Sequence, residues 1–162
     1  MMGKRSIVGN YVVRKHGVYD FQTAYSAVST WLNKHGYDFY EKKHTEKDSA
    51  TGKYMELIWV AGREVSDYVK FHIKVEIWMR NAKPAENGKM HGRVEFIFNS
   101  DMETNVDIRG VKKFSPDDEG TFTHFIKDLY EKYIVKAKME KMEEKLFNET
   151  MDFAESVRVV LI

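Results

Sequence analysis

The stretch of sequence that decides the fold is residues 68–80, which read YVKFHIKVEIWMR. Apolar and polar side chains alternate along its whole length, and a helix would spread the apolar ones around its entire circumference. The pattern therefore predicts a long β-strand with one apolar face. That face carries Val69, Phe71, Ile73, Val75, Ile77 and Met79.

Shorter segments with the same two-residue period lie on both sides of this strand. They predict strands over residues 7–14, 37–42, 53–61 and 93–101, with residues 104–109 continuing the sheet. Gly9 indicates a bulge in the first strand. A turn is expected at residues 15–17, and loops at residues 48–52 and 81–92.

Two segments change to the three- and four-residue spacing of an amphipathic helix. The first begins at the N-cap residue Asp20 and ends at residues 34–36, where basic residues precede a glycine. The second begins at Ser115 and Pro116, and no Gly or Pro follows Thr121. A helix from there to about residue 156 would be ~60 Å long, whereas such a domain has a radius of gyration of ~15 Å. We therefore expect it either to break near Asn148 or to meet a partner with its distal half.

Together these elements predict an α+β protein. A curved antiparallel sheet of about five strands would grip a long C-terminal helix, with one shorter helix after the first strand. Residues 1–147 would form the domain, and residues 148–162 a C-terminal extension of the last helix. The order of elements over residues 7–14, 20–35, 37–109 and 115 onward resembles the helix-grip (START/Bet v 1-like) superfamily. That resemblance implies a ligand-binding cavity or a partner-binding groove.

Composition excludes several classes of protein. The 162 residues include 26 Lys and Arg against 25 Asp and Glu, a net charge of +1, which argues against a dedicated DNA-binding domain. The absence of cysteine excludes disulfides, thiol nucleophiles and sulfur-ligated metals. No apolar run is long enough for a signal peptide or a membrane span, so a cytoplasmic protein is expected.

The first functional hypothesis is a non-catalytic binding module with an apolar pocket or groove between the sheet and the C-terminal helix. The apolar sheet face needs a cover, and the apolar stripe of residues 122–137 can supply it. A filled core is the competing interpretation. The ligand would be an apolar small molecule. The residues predicted to line the pocket are Phe71, Ile73, Val75, Ile77, Phe96, Phe98, Phe125, Leu129 and Tyr133.

The second hypothesis is a protein-interaction or assembly subunit, which would bind a protein partner or form a homodimer through the C-terminal helix. An exposed apolar stripe on a helix usually marks a partner surface. The predicted partner-binding residues are Met142, Leu146, Phe147, Met151 and Phe153.

The third hypothesis is an RNA- or ribosome-associated protein that uses the polar face of the strand at residues 68–80. This face interleaves basic and aromatic side chains, which can contact phosphates and stack on bases. The near-zero net charge favours an ordinary solvent-exposed face instead. The candidate residues are Lys70, Lys74, Trp78 and Arg80.

Catalytic motifs are absent from the sequence, which favours a non-catalytic protein without a cofactor. No two of the six histidines have metal-ligand spacing, and no phosphate-binding loop or nucleophile motif occurs. Three glutamates, Glu56, Glu76 and Glu95, lie on predicted strands and could cluster as acid–base groups. Cross-strand ion pairing with nearby basic residues is the simpler interpretation.

Overall fold

The described residues form one five-stranded antiparallel sheet and two α-helices, with a short 3-10 helix at residues 86–88. The structure is a computed structural model and describes residues 4–66, 69–104 and 121–161, with the backbone alone for 4–5, 121–132 and 135. The elements are β1 (Lys4–Tyr19), α1 (Phe21–Lys34), β2 (Asp38–Ser49), β3 (Gly52–Ser66), β4 (Val69–Pro84), β5 (Met90–Thr104) and α2 (Thr121–Leu161). In the sheet the strand order is β1-β5-β4-β3-β2, so β1 and β2 are the edges. The predicted α+β class is confirmed.

The central strand β4 has the predicted two-sided character. Its odd-numbered residues from Val69 to Met79 are all 2% exposed or less, while the residues between them face outward. The strand is longer than predicted and takes in part of the expected loop at residues 81–92. The extension passes through an irregularity in pairing after Arg80, where Asn81 adopts a positive φ of 54° and Ala82 is buried.

The first strand is also longer than predicted. No turn forms at residues 15–17, because Gly17 stays paired with Gly92 of β5 and β1 continues to Tyr19. Gly92 has a φ of +156°, and a Cβ atom there would lie 2.6 Å from the carbonyl oxygen of Asn81. Only glycine therefore permits this close approach of β5 to β4. The predicted bulge is confirmed, since the register shifts between Ile7 and Gly9.

Helix α1 begins as predicted at Asp20. The Asp20 carboxylate accepts a hydrogen bond from the backbone N–H of Thr23 at 3.1 Å, which satisfies one of the free donors of the first turn. The helix ends before Gly36, which has a φ of +75°. Its buried face presents Ala24, Val28, Trp31 and Leu32 to the core.

Helix α2 packs against the sheet with its C-terminal half. The prediction that the apolar stripe of residues 122–137 covers the sheet stays a prediction, because most of these side chains lie outside the described residues. Of the described ones, Tyr133 is 79% exposed, Ile134 is part-buried and Ala137 is exposed. The helix does not break near Asn148 but continues as one element of 41 residues. Its core residues are Leu146, Phe153, Ala154, Val157 and Leu161.

One polar contact lies within this packing. The Thr150 hydroxyl is 2.8 Å from the hydroxyl of Ser100 on β5 and 2.7 Å from the carbonyl oxygen of Leu146. Both side chains are buried, and Gly9 of β1 leaves room beside them. Residues 148–161 thus share one core with the sheet.

Candidate functional site

The residues predicted to line an apolar pocket form part of a packed core. Phe71, Ile73, Val75, Ile77, Phe96 and Phe98 are each 1% exposed or less. The ring of Phe98 lies 4.9 Å from that of Phe153, so helix α2 fills the space over this part of the sheet. Tyr133 lies on the exposed part of α2 instead, and the side chains of Phe125 and Leu129 lie outside the described residues. The apolar-ligand hypothesis stays a prediction.

The residues predicted to bind a partner are divided between core and surface. Leu146 and Phe153 are fully buried within the chain's own core, so they offer no surface to a partner. Met142 is half-buried, while Phe147 and Met151 are 39% and 44% exposed. The ring of Phe147 also packs 5.7 Å from that of Tyr11 on β1. The assembly hypothesis stays a prediction, which sedimentation of the whole chain would test.

A buried polar cluster fastens α2 to the rest of the molecule. The carboxylate of Glu149 accepts hydrogen bonds from the Tyr37 hydroxyl at 2.7 Å and from the Arg63 guanidinium at 2.5 Å. Burial, together with the nearby Glu149 carboxylate, raises the pKa of Tyr37 well above its usual value. One turn further on, Asp152 accepts a hydrogen bond from the indole N–H of Trp31 at 2.9 Å. Arg63 also donates to the carbonyl oxygen of His35 at 3.0 Å, while its Nε has no hydrogen-bond partner among the described residues. Most polar atoms of the group are thus paired within the chain, which is the pattern of a structural cluster.

The outer face of the sheet, opposite the face on which α1 and α2 pack, carries many charged side chains. Over much of this face basic side chains are paired with acids. Lys74 lies 2.9 Å from Glu76, and His72 lies 2.6 Å from Glu103. Lys70 is exposed and stands opposite both Glu64 and Glu103 in the strand register. Of the predicted nucleic-acid residues, Lys70 and Lys74 therefore lie in a neutralised region.

At one end of the same face three basic residues stand side by side. His16 of β1 is paired in register with Arg93 of β5, and Arg93 is paired with Arg80 of β4. All three are exposed, and within the described ranges none of them forms an ion pair with a carboxylate. Like charges directly opposite each other on a sheet repel. The two arginines of this basic row are thus unneutralised positive charges on neighbouring strands, with His16 beside them.

Trp78 lies in the next row of side chains on β4. The guanidinium of Arg80 lies 5.4 Å from the centre of the Trp78 ring, within cation–π range. Trp78 and the basic row border a cleft of about 460 Å³, which we call the outer-face cleft. Its wall also includes Arg14 and Glu95, which form an ion pair at 3.5 Å.

The sequence identified Trp78 and Arg80 but missed Arg14, His16 and Arg93. Because a turn was predicted at residues 15–17 and a loop at residues 81–92, the sequence did not indicate that these three residues lie near β4. The available signal was the basic side chains at alternate positions of the first strand and at the start of the fifth. Without the strand register, however, nothing in the sequence placed them next to Arg80.

Another shallow cleft of about 520 Å³ lies beside α1 and α2. Its wall contains both basic and acidic side chains, including His35, Lys141, Glu144 and Asp152. The mixed charge favours neither an anion nor a cation. Across the described parts of the chain, no three His, Asp or Glu side chains come close enough together to hold a metal ion. No helix in these parts is both long enough and apolar enough to cross a membrane.

Comparison with protein-family models, with curated proteins and with solved structures gave no significant match. The resemblance to the helix-grip superfamily therefore stays a prediction.

Proposed function

We propose that this protein binds single-stranded RNA through the outer-face cleft. The observation that carries the proposal is the basic row of His16, Arg93 and Arg80, which has no acidic partner in the described structure and lies beside the ring of Trp78. Phosphates supply the missing negative charge, and a base supplies a flat partner for the indole.

The positive charge that would attract RNA is local to the basic row. The whole chain has a net charge of only +1, but ion pairs such as Lys43–Glu56 and Lys74–Glu76 neutralise the middle of the outer face. The basic row is left as a concentrated positive field at one end. Local fields of this kind attract anions regardless of the net charge of the chain. Arginine in particular contacts phosphate oxygens with two parallel hydrogen bonds.

Stacking on Trp78 favours single-stranded over double-stranded RNA. Stacking of a base on an aromatic side chain contributes about 1–3 kcal/mol. Only an unpaired base can lie flat on Trp78, because the bases of a duplex are stacked on each other. A sheet face with a part-exposed indole and flanking cations resembles the surfaces that single-strand binders use.

The proposal is tested by fluorescence anisotropy with a labelled ten-nucleotide RNA of mixed sequence, its duplex form and a mononucleotide. We expect the single strand to bind best, with a salt dependence (slope of log K against log[salt]) of about −1.4 for the two arginine–phosphate contacts. The double variant R80A/R93A should lose about tenfold or more in affinity, because each charged hydrogen bond contributes about 1.5–3 kcal/mol.

The matched control is K136A/K138A, which removes the same charge from exposed positions of α2. It should bind like the wild type. Absence of binding at low salt, or equal losses in the two double variants, would refute the proposal. Binding of the mononucleotide alone would replace RNA with a free nucleotide as the ligand.

A further inference from the structure

Trp78 stands between two carboxylates in the strand register. Glu95 of β5 and Glu56 of β3 are both paired with Trp78, one on each side. Side chains directly opposite each other on a sheet have Cβ atoms about 4.5–5.5 Å apart. A base that lies on the indole therefore has a carboxylate within reach of its edge.

Glu56 is already occupied. Its side chain is 10% exposed, and both of its oxygens lie 3.3 Å from Lys43 Nζ. Glu76, the neighbour of Trp78 along the outer face, accepts a hydrogen bond from the indole N–H at 3.4 Å and pairs with Lys74. Both oxygens of each of these two carboxylates are therefore already in contact with a donor group of the protein.

Glu95 differs from both. Its side chain is 26% exposed on the wall of the outer-face cleft, and Oε2 lies 3.5 Å from the Nε atom of Arg14. Within the described residues, neither carboxylate oxygen of Glu95 receives a hydrogen bond, and the contact with Arg14 is a long ion pair. Glu95 is thus the carboxylate beside Trp78 whose two oxygens can both accept from a ligand.

We infer that Glu95 makes the outer-face cleft selective for guanine, an inference that rests on the proposed RNA-binding function. An ionised carboxylate only accepts hydrogen bonds. Guanine presents two adjacent donors, its N1–H and its N2 amino group, which match the two oxygens of one carboxylate. Adenine and cytosine present a single amino group beside an acceptor nitrogen, and uracil presents one N–H between two carbonyls that the carboxylate repels.

The test uses four labelled heptamers of sequence UUUXUUU, in which X is G, A, C or U, bound to the full chain. We expect the G heptamer to bind about tenfold more tightly than the U heptamer, the discrimination typical of one bidentate contact. The variant E95Q should reduce this ratio to about twofold or less and should leave affinity for the U heptamer unchanged or higher. A Glu95 that served only to hold Arg14 would change affinity for all four heptamers alike.

The matched control is E64Q, which removes the same charge from an exposed position on β3 and should keep the G preference. Equal binding of all four heptamers, or a G preference that survives in E95Q, would overturn the selectivity and leave RNA binding intact. Absence of binding to any heptamer would overturn the proposed function itself and the selectivity with it.

Discussion

The rings of Trp31 and Phe153 stack face to face, with centroids 4.3 Å apart and planes inclined by only 2°. Trp31 belongs to α1 and Phe153 to α2, so this pair joins the two helices over the sheet. Trp31 also stacks on His35, with ring centroids 3.9 Å apart, and its indole N–H donates a hydrogen bond to the Asp152 carboxylate. The contact between α1 and α2 is therefore both apolar and hydrogen-bonded.

Replacement of Phe153 with alanine should lower the free energy of unfolding by about 3–5 kcal/mol, because a buried aromatic ring leaves a large cavity. Urea denaturation followed by circular dichroism measures the loss. M151A on the exposed side of the same helix is the control and should cost less than about 1 kcal/mol. Equal losses would show that α2 does not pack through Phe153.

Removal of the Glu149 carboxylate should destabilise the fold by about 3 kcal/mol, since E149A leaves Arg63 and the Tyr37 hydroxyl buried without their acceptor. The comparison is E155A, which removes an exposed ion pair with Arg158 and should cost far less. Chemical denaturation of both variants measures the difference. A loss in E149A no larger than in E155A would contradict a structural role for this cluster.

The buried hydroxyl of Tyr19 lowers the stability of the core. Tyr19 is 2% exposed, and its hydroxyl has no hydrogen-bond partner among the described residues. Because an unsatisfied buried hydroxyl costs about 1–3 kcal/mol, Y19F should raise the free energy of unfolding by about 1 kcal/mol. Thermal and urea unfolding measure the gain. A clear loss of stability in Y19F would show that the hydroxyl has a partner.

The same residue makes the fold sensitive to alkaline pH. Burial raises the pKa of Tyr19 to about 12, whereas in the unfolded chain this pKa is the ordinary tyrosine value of 10.0. The unfolded state therefore releases this proton first, so stability is complete below pH 10 and falls as the pH rises from 10 towards 12. Unfolding measured at pH 8 and at pH 11 should show this decline, and Y19F should show a smaller one. An equal decline in both proteins would assign the effect to other groups, such as Tyr37.

The glycine pair at the end of the outer-face cleft provides a matched test of backbone geometry. A Cβ atom at Gly92 would lie 2.6 Å from the Asn81 carbonyl oxygen, whereas one at Gly17 would meet nothing within 4 Å. Both glycines have positive φ, so both alanine variants are strained. G92A should cost about 1–3 kcal/mol more than G17A. If G92A and G17A lost similar amounts of unfolding free energy, β4 and β5 would have to separate readily at Gly92.

The local features of this fold could be read from the sequence, and the non-local ones could not. The alternation in β4 and the Asp20 cap depend on neighbours along the chain, and both were predicted. The choice of which half of α2 covers the sheet depends on shape, because Phe122–Ala137 and Leu146–Leu161 both form apolar stripes. The basic row depends on register, since His16, Arg93 and Arg80 meet only through the pairing of three strands.

The contact between Thr150 and Ser100 has a consequence for how α2 is aligned. Hydrophobic contacts have no preferred direction. Hydrophobic packing alone would therefore permit several positions of helix α2 along the sheet. A slide by one turn would carry the Thr150 hydroxyl away from Ser100 and leave the latter buried alone, at a cost of about 1–3 kcal/mol. Together with the hydrogen bonds of Glu149 and Asp152, this contact thus selects one alignment of the helix from those that hydrophobic packing allows.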